Sequence, residues 1–155
     1  MALNPELLRQ IRPMSEADLE AISAIEAATF PDPWPRSALA HEAVRNPYCS
    51  ASVIEEEGTV AGYAFCWVVF EQAHLINIAI APGLRSRGLG EALLVHVMRH
   101  ATAQGAEVMH LEVRDENQAA IALYLKYGFT ILGRKDKYYG DGAAAILMQK
   151  DLTKP

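Results

Sequence analysis

Cysteine is scarce: Cys49 and Cys66 are the two in 155 residues. They fit no metal-ligand spacing and are too few to frame a disulfide-stapled fold. Cys66, inside AFCWVVF, reads as a small buried apolar residue, and a reducing cytoplasm is the expected compartment. Long apolar runs are missing too. None approaches the roughly 18 residues of a membrane span, and the longest, Tyr63 to Phe70, has the length of a strand. The opening MALNPELLRQ lacks the charged-then-apolar order of a secretory leader, so neither membrane nor export is expected. Positive charge is in deficit, 14 Lys and Arg against 19 Asp and Glu, and the net −5 argues against direct nucleic-acid binding. No repeat, low-complexity tract or long linker divides the chain. With 51% apolar residues it suits one domain over residues 1–155, with a core from about 9 to 151.

The charge is unevenly spread. Residues 1–80 hold 11 acidic and 4 basic side chains (−7), and residues 81–155 hold 8 and 10 (+2). Scattered surface charge would do this, and so would an anionic ligand held by the second half and a cationic one by the first.

Periodicity orders the elements. A strand near Ile11–Met14 leads into a helix opened by Ser15-Glu16-Ala17-Asp18, with apolar positions at 19, 22, 25 and 28/29. FPDPWP, 30–35, cannot be helix interior, because proline lacks the amide donor and restricts its predecessor. A short helix spans about Ser37 to Arg45. Strands follow at about 48–56 and 60–71, joined at Glu57-Gly58, and at His74 to Ile80. Leu89, Leu93, Val97 and Ala101 stripe a helix that Gly105 stops. VMHLEVR, 108–114, is a strand, 117–127 a helix, and 129–139 and 143–150 are closing strands. The order β-α-α-β-β-β-α-β-α-β-β predicts a single α/β domain with a mixed, mostly antiparallel sheet and flanking helices.

RSRGLG, residues 85–90, sits between the third long strand and its helix. A P-loop would need Lys-Ser where Leu89-Gly90 stand, and a dinucleotide fingerprint needs a small residue where Leu93 stands. What remains is Arg85-x-x-Gly88-x-Gly90 opening a helix. Small residues admit a phosphate close to the backbone, and the first-turn amides have no partner inside the helix. The helix dipole and the Arg85 and Arg87 guanidiniums add attraction.

On these residues the sequence resembles the GCN5-related N-acetyltransferases, whose acetyl-CoA loop reads [RQ]-x-x-G-x-[GA], over nearly the whole chain. The resemblance is closest to the ribosomal-protein-alanine (RimI-type) branch. It is carried by LINIAI at 75–80, RSRGLGEALL at 85–94, LEVRDENQAAIALYLKYGF at 111–129 and the FPDPWP loop. It implies an acyltransferase using acetyl-CoA and no metal. Ile78, Ala79 and Ile80 are to meet the pantetheine through the backbone, and Arg87, Gly88, Leu89, Gly90 and Glu91, with Arg85 and Ser86 in the same motif, are to surround the pyrophosphate. Glu91 departs from the family pattern, which often has Arg or Lys there. Pro35, after Trp34, is a second departure.

Along VMHLEVR, Met109, Leu111 and Val113 share one face, and His110, Glu112 and Arg114 the other. Glu112 is either ion-paired with Arg114 or on a solvated edge, or it has a chemical role. Amide formation needs a neutral amine: at pH 7 deprotonation costs roughly 1 kcal/mol for an α-amine and about 4.6 for lysine. A carboxylate can accept that proton directly or through a water. The resemblance places this base at Glu112. Asn117 and Tyr124, two helical turns apart, read as an N-cap and a core aromatic. The resemblance instead makes Asn117 a cofactor contact and Tyr124 the hydrogen-bond donor to the departing thiolate. Direct transfer is then expected, with a backbone amide near Ile80 polarising the carbonyl. A cysteine relay is disfavoured, since neither cysteine has an activating partner in sequence.

Trp34 and the prolines predict a stiff loop over the acceptor, with Tyr138 and Tyr139 opposite. The resemblance implies a protein N-terminus as acceptor, an alanine on a small-subunit ribosomal protein. A small amine, a lysine side chain, or CoA sensing without turnover are the alternatives. His96 and His100 lack the glutamate of H-E-x-x-H and any third ligand, so they predict no metal. His110 is a candidate to hold a water near Glu112.

Overall fold

The computed structural model describes residues 3–154. Seven strands form one sheet in the order β1-β2-β3-β4-β5-β7-β6. They are β1 (Ile11–Pro13), β2 (Cys49–Glu56), β3 (Thr59–Val69), β4 (Gln72–Ile80), β5 (Val108–Arg114), β6 (Thr130–Lys135) and β7 (Ala145–Asp151). All neighbouring pairs are antiparallel except β4 and β5. The helices are α1 (Pro5–Leu8), α2 (Leu19–Thr29), α3 (Arg36–Ala40), α4 (Leu89–Ala103) and α5 (Gln118–Lys126). The mixed α/β sheet and the order of its elements are as the periodicity predicts. The addition is α1, a single turn that Asn4 caps by accepting from the Glu6 amide at 3.0 Å.

Helices cover both faces of the sheet. On one, Leu93, Leu94 and Val97 of α4 and Ile121 of α5 pack with Leu75, Met109 and Leu111. On the other, Ile22 and Ile25 of α2 and Leu39 of α3 meet Val53, Tyr63 and Phe65. The turn between β2 and β3 uses Glu57 and Gly58 at φ 53° and 77°, the left-handed pair that a tight hairpin requires.

Two irregularities shape β4. Phe65 pairs with Asn77 but Cys66 with Leu75, so Ile76 is an extra residue on β4. One extra residue inverts the alternation of side chains. Before it, Ala73 and Leu75 point to the α4 face; beyond it, Ile78 and Ile80 do, and Asn77 turns toward α2. The second irregularity is where pairing ends. β4 and β5 run in register from Gln72↔Val108 only to Leu75↔Leu111. From there β4 stays with β3 as far as Ile80, while β5 stays with β7 through Arg114. The two strands diverge as the arms of a V, and the β4 backbone groups aimed at β5 past Leu75 lack a strand partner.

Three local expectations are corrected. The buried stripe of α2 closes on Glu26, at 1% exposure, whereas Ala28 lies in solvent. The helix expected over 37–45 is α3 followed by a widened π turn, His41–Arg45, closed by Asn46 N donating to His41 O at 3.0 Å. Within it Glu42 is buried, accepting from Asn46 Nδ2 (2.9 Å) and Trp67 Nε1 (2.7 Å). The strand expected over 129–139 stops at Lys135, because Lys137 takes φ 52° at the start of a turn.

Arg12 staples the entry of α2 to β2. Its two terminal nitrogens each donate to Asp18 at 2.8 Å and its Nε donates to Glu55 at 2.7 Å. Asp18 also accepts from Ser15 N at 2.8 Å. The hydrogen bonds from Arg12 hold the Asp18 carboxyl down to about 2. A depressed carboxyl contributes stability that is complete above its unfolded value near 3.9 and is lost as pH falls toward 2. With half-exposed Arg12 screening the pair, Asp18→Asn is expected to cost about 1–2 kcal/mol of unfolding free energy at pH 7 and almost nothing at pH 2, measured by urea denaturation at both.

Candidate active site

A cleft of about 340 Å³ opens where β4 and β5 part. Leu75 to Ile78 form one wall and Leu111 to Arg114 the other. Two loops close the top, the Trp34 segment after α2 and the Tyr138–Gly140 segment between β6 and β7. Glu112, Asn117, Tyr124, Trp34, Tyr138, Tyr139 and Ile78 all line this space. Ala79 and Ile80 carry β4 onward to the turn that holds Arg85, Ser86, Arg87, Gly88, Leu89, Gly90 and Glu91, which lies outside the cleft.

Glu112 faces the cleft because Met109, Leu111 and Val113 are the buried face of β5. Both its oxygens lie 2.9 Å from His74 Nε2, and it accepts from the Tyr138 hydroxyl at 3.4 Å. Its side chain stays 23% exposed, within reach of a ligand. The Arg114 alternative is not realised: that guanidinium donates to Asp141 at 2.9 Å and lies 4.5 Å from the Tyr139 ring centre. Nor does His110 serve Glu112, since its Nε2 is 3.2 Å from Gln72 Oε1. His74 and His110 are partners across β4 and β5, and it is His74, on the face of Glu112, that reaches the carboxylate.

Tyr124 is buried against Phe129, ring centres 5.6 Å apart. Burial raises its phenol well above the ordinary value near 10, so it stays protonated at neutral pH and keeps a proton to donate. Asn117 caps α5, its Oδ1 accepting from Ala120 N at 3.2 Å, and also borders the cleft. Tyr138 and Tyr139 meet edge to face at 5.0 Å, and burial pushes Tyr139 up to about 12.

At the end of β4 the chain turns through Gly83, Ser86 and Gly88 at φ 87°, 67° and 84°. A serine in that region is uncommon, and such a run bends successive amides toward one point. Ala92 N donates to Gly88 O at 3.0 Å, which leaves the amides ahead of it without helical partners. Arg85 is committed to the scaffold, donating from Nε to Ile80 O and from Nη2 to Thr29 Oγ1, both at 3.0 Å. Arg87 pairs with Glu56 at the surface. Leu89 buries its side chain in the core and offers the turn its backbone alone. Glu91 is matched by Lys126 at 2.5 Å, whose hydrogen bond lowers its carboxyl, so the departure from a basic residue is offset by a neighbouring cation. Amides without a partner among the described residues, a dipole end and small residues beside an open strand edge suit a diphosphate followed by an extended amide-bearing arm.

One group was not singled out from the sequence. Glu26 accepts from the Tyr63 hydroxyl, from Asn77 Nδ2 at 2.7 Å and from Trp34 N at 2.9 Å, while bordering the cleft. Its signal lay in the stripe: it is four residues past Ile22 and seven past Leu19, on the buried side of α2.

With fold and cleft defined, comparison with known proteins gives the class. The profile of the acetyltransferase (GNAT) family matches residues 19–129. The chain belongs to that family of acetyl-CoA-dependent acyltransferases. It is 33% identical over 132 residues to the [ribosomal protein bS18]-alanine N-acetyltransferase of Escherichia coli (strain K12), covering 85% of this chain and 88% of that protein. A Bacillus subtilis (strain 168) protein provisionally named for the same reaction is 37% identical over 139 residues, 89% of this chain and 92% of the relative. The crystal structure of the Escherichia coli ribosomal-protein-S18-alanine N-acetyltransferase superposes with a TM-score of 0.85 at 32% identity, covering 94% of each chain.

Acyl transfer through a cysteine has no support in the geometry. Burial pushes both Cys49 and Cys66 up to about 12, and Glu42 adds to the effect at Cys49. At pH 8 only about one thiol in ten thousand is thiolate at such a value. A chromogenic disulfide at pH 8 should label neither cysteine of the folded protein on the minutes scale, and both after denaturation; fast labelling before denaturation would reinstate the relay.

Proposed function

We propose that this chain acetylates the N-terminal α-amine of a protein, and that its acceptor is the N-terminal alanine of ribosomal protein bS18. The observation that carries the reading is the position of Glu112: a part-exposed carboxylate on the inner wall of the V, facing a narrow cleft roofed by Trp34 and the Tyr138-Tyr139 pair. Near-full-length similarity to enzymes named for that acceptor supports the same assignment.

Glu112 takes the proton from the incoming ammonium, directly or across one water, which an α-amine gives up about 3.5 kcal/mol more readily than a lysine at pH 7. His74 Nε2, 2.9 Å from both Glu112 oxygens, donates to the carboxylate and fixes its rotamer, and the part-exposed Glu112 returns the proton to solvent. Acetyl-CoA supplies the activated thioester when bound. The open backbone edge of β4 from Ile78 to Ile80 orients its arm, and the amides from Arg87 to Glu91, with Ser86 turning the chain, hold its diphosphate. A backbone N–H near Ile80 would donate to the carbonyl oxygen as negative charge builds there. Tyr124 steadies the departing sulfur by donating a hydrogen bond, and burial makes complete proton transfer to a thiolate of reference value about 8.5 uphill. Asn117 sets the start of α5, and so the height of Tyr124. The alanine side chain meets Trp34, Tyr138 and Tyr139, whose rings leave little room for a longer one.

Glu112→Gln is expected to lower kcat about 10²–10⁴-fold at neutral pH with acetyl-CoA affinity unchanged, and Tyr124→Phe to lower kcat while sparing both KM values. The direct test is incubation with acetyl-CoA and bacterial ribosomal proteins, followed by mass spectrometry of N-terminal peptides. Acetyl groups on lysine side chains alone would move the assignment to a different acceptor. Acetyl-CoA binding without thiol release from any peptide pool would end the enzymatic reading.

A further inference from the structure

The segment from 31 to 35 roofs the acceptor side of the cleft, and Pro31, Pro33 and Pro35 leave it two backbone donors, the amides of Asp32 and Trp34. Prolines stiffen the segment internally but cannot fix its height above the sheet. That height is set by what its remaining amides and rings touch. Trp34 N donates to Glu26 Oε2 at 2.9 Å, and the Trp34 ring lies parallel to Phe65 at 6.3 Å and 18°. At the far side the Gly140 backbone approaches the Asp32 carboxylate closely enough that an added Cβ would overlap it.

Glu26 is 1% exposed, and a carboxylate in that environment must have its lone pairs filled. Oε1 is taken by the Tyr63 hydroxyl and by Asn77 Nδ2 at 2.7 Å, so one oxygen is locked to the sheet and the other holds the loop. Asn77 is available only because the extra residue Ile76 turns it to the α2 face. The mechanism above makes no use of this carboxylate. We propose that Glu26 is a positioning residue that fixes the height of the Trp34 loop over β3 and β4, and thereby the size of the acceptor residue the cleft admits. The proposal rests on the reading of the cleft as an amine-acceptor site.

A glutamine there offers one oxygen to three donors and turns an amide N–H₂ against one of them. Glu26→Gln is expected to raise KM for an alanine-initiated peptide about tenfold, to leave KM for acetyl-CoA and kcat near their original values, and to narrow the preference for alanine over methionine or leucine at the first position. Tyr63→Phe removes an Oε1 donor while sparing the Trp34 bond, so it should lower Tm with peptide KM unmoved. Glu26→Asp, too short to reach both the sheet and the loop, carries the same readout should the glutamine variant fail to fold. Peptide KM and first-residue preference unchanged in a folded Glu26 variant would overturn the proposal, as would Tyr63→Phe shifting KM as much as Glu26→Gln does. If the amine acetylated proves to be a lysine or a small molecule, the acceptor assignment fails on its own, and the Glu26 effect is still read as the KM of that amine.

Discussion

The structure depends on the point where β4 and β5 stop pairing. Four residue pairs hold the strands parallel, from Gln72↔Val108 to Leu75↔Leu111, and then each strand follows its other neighbour. Backbone amides and carbonyls inside a protein require partners, so an internal strand edge left open is tolerable where water or a ligand supplies them. The same divergence puts Glu112, the first β5 residue past the last pair, on an open wall and not under a helix. On the proposed reading, cofactor groove and acceptor cleft are the two sides of one interrupted ladder.

Charge follows that geometry. The first half of the chain, at −7, contributes Glu26 and Asp32 to the acceptor side, while the second half, at +2, contributes the turn with its amides and arginines. Yet the named cations are largely committed within the protein: Arg85 braces Ile80 and Thr29, Arg87 meets Glu56, and Arg114 holds Asp141. On the proposed reading, attraction for a diphosphate then comes chiefly from oriented backbone groups, which lose no side-chain freedom on binding.

Much of this was legible in the sequence where periodicity and punctuation agree. Strand alternation in VMHLEVR gave the correct inner face of β5, the Glu57-Gly58 pair gave the β2–β3 hairpin, and Gly88 and Gly90 marked the entry to α4. Features set by pairing between distant segments were not legible. No periodicity announces that Ile76 is an extra residue, so Asn77 gave no sign of meeting α2. Choosing between His74 and His110 as the neighbour of Glu112 needs the β4–β5 register and the side on which the strands separate. Glu26 could have been found, since it falls on the apolar stripe of α2, but the expected stripe ran on to positions 28/29 and passed over it. The π turn after α3 contains a buried carboxylate whose partner Trp67 is 25 residues away, beyond the range of local preference.

The position of β7 has a consequence for assembly. It lies between β5 and β6, pairing with both, though it follows both along the chain. Until Ala145–Asp151 has been synthesised, β5 has one flank bare and β6 has no place in the sheet. A nascent chain can therefore organise the β1–β4 meander and its α2–α3 cover early, from contacts close in sequence, but not the wall bearing Glu112. On the proposed reading, competence to react arrives with β7, which gives a partly made molecule no means of consuming its acyl donor.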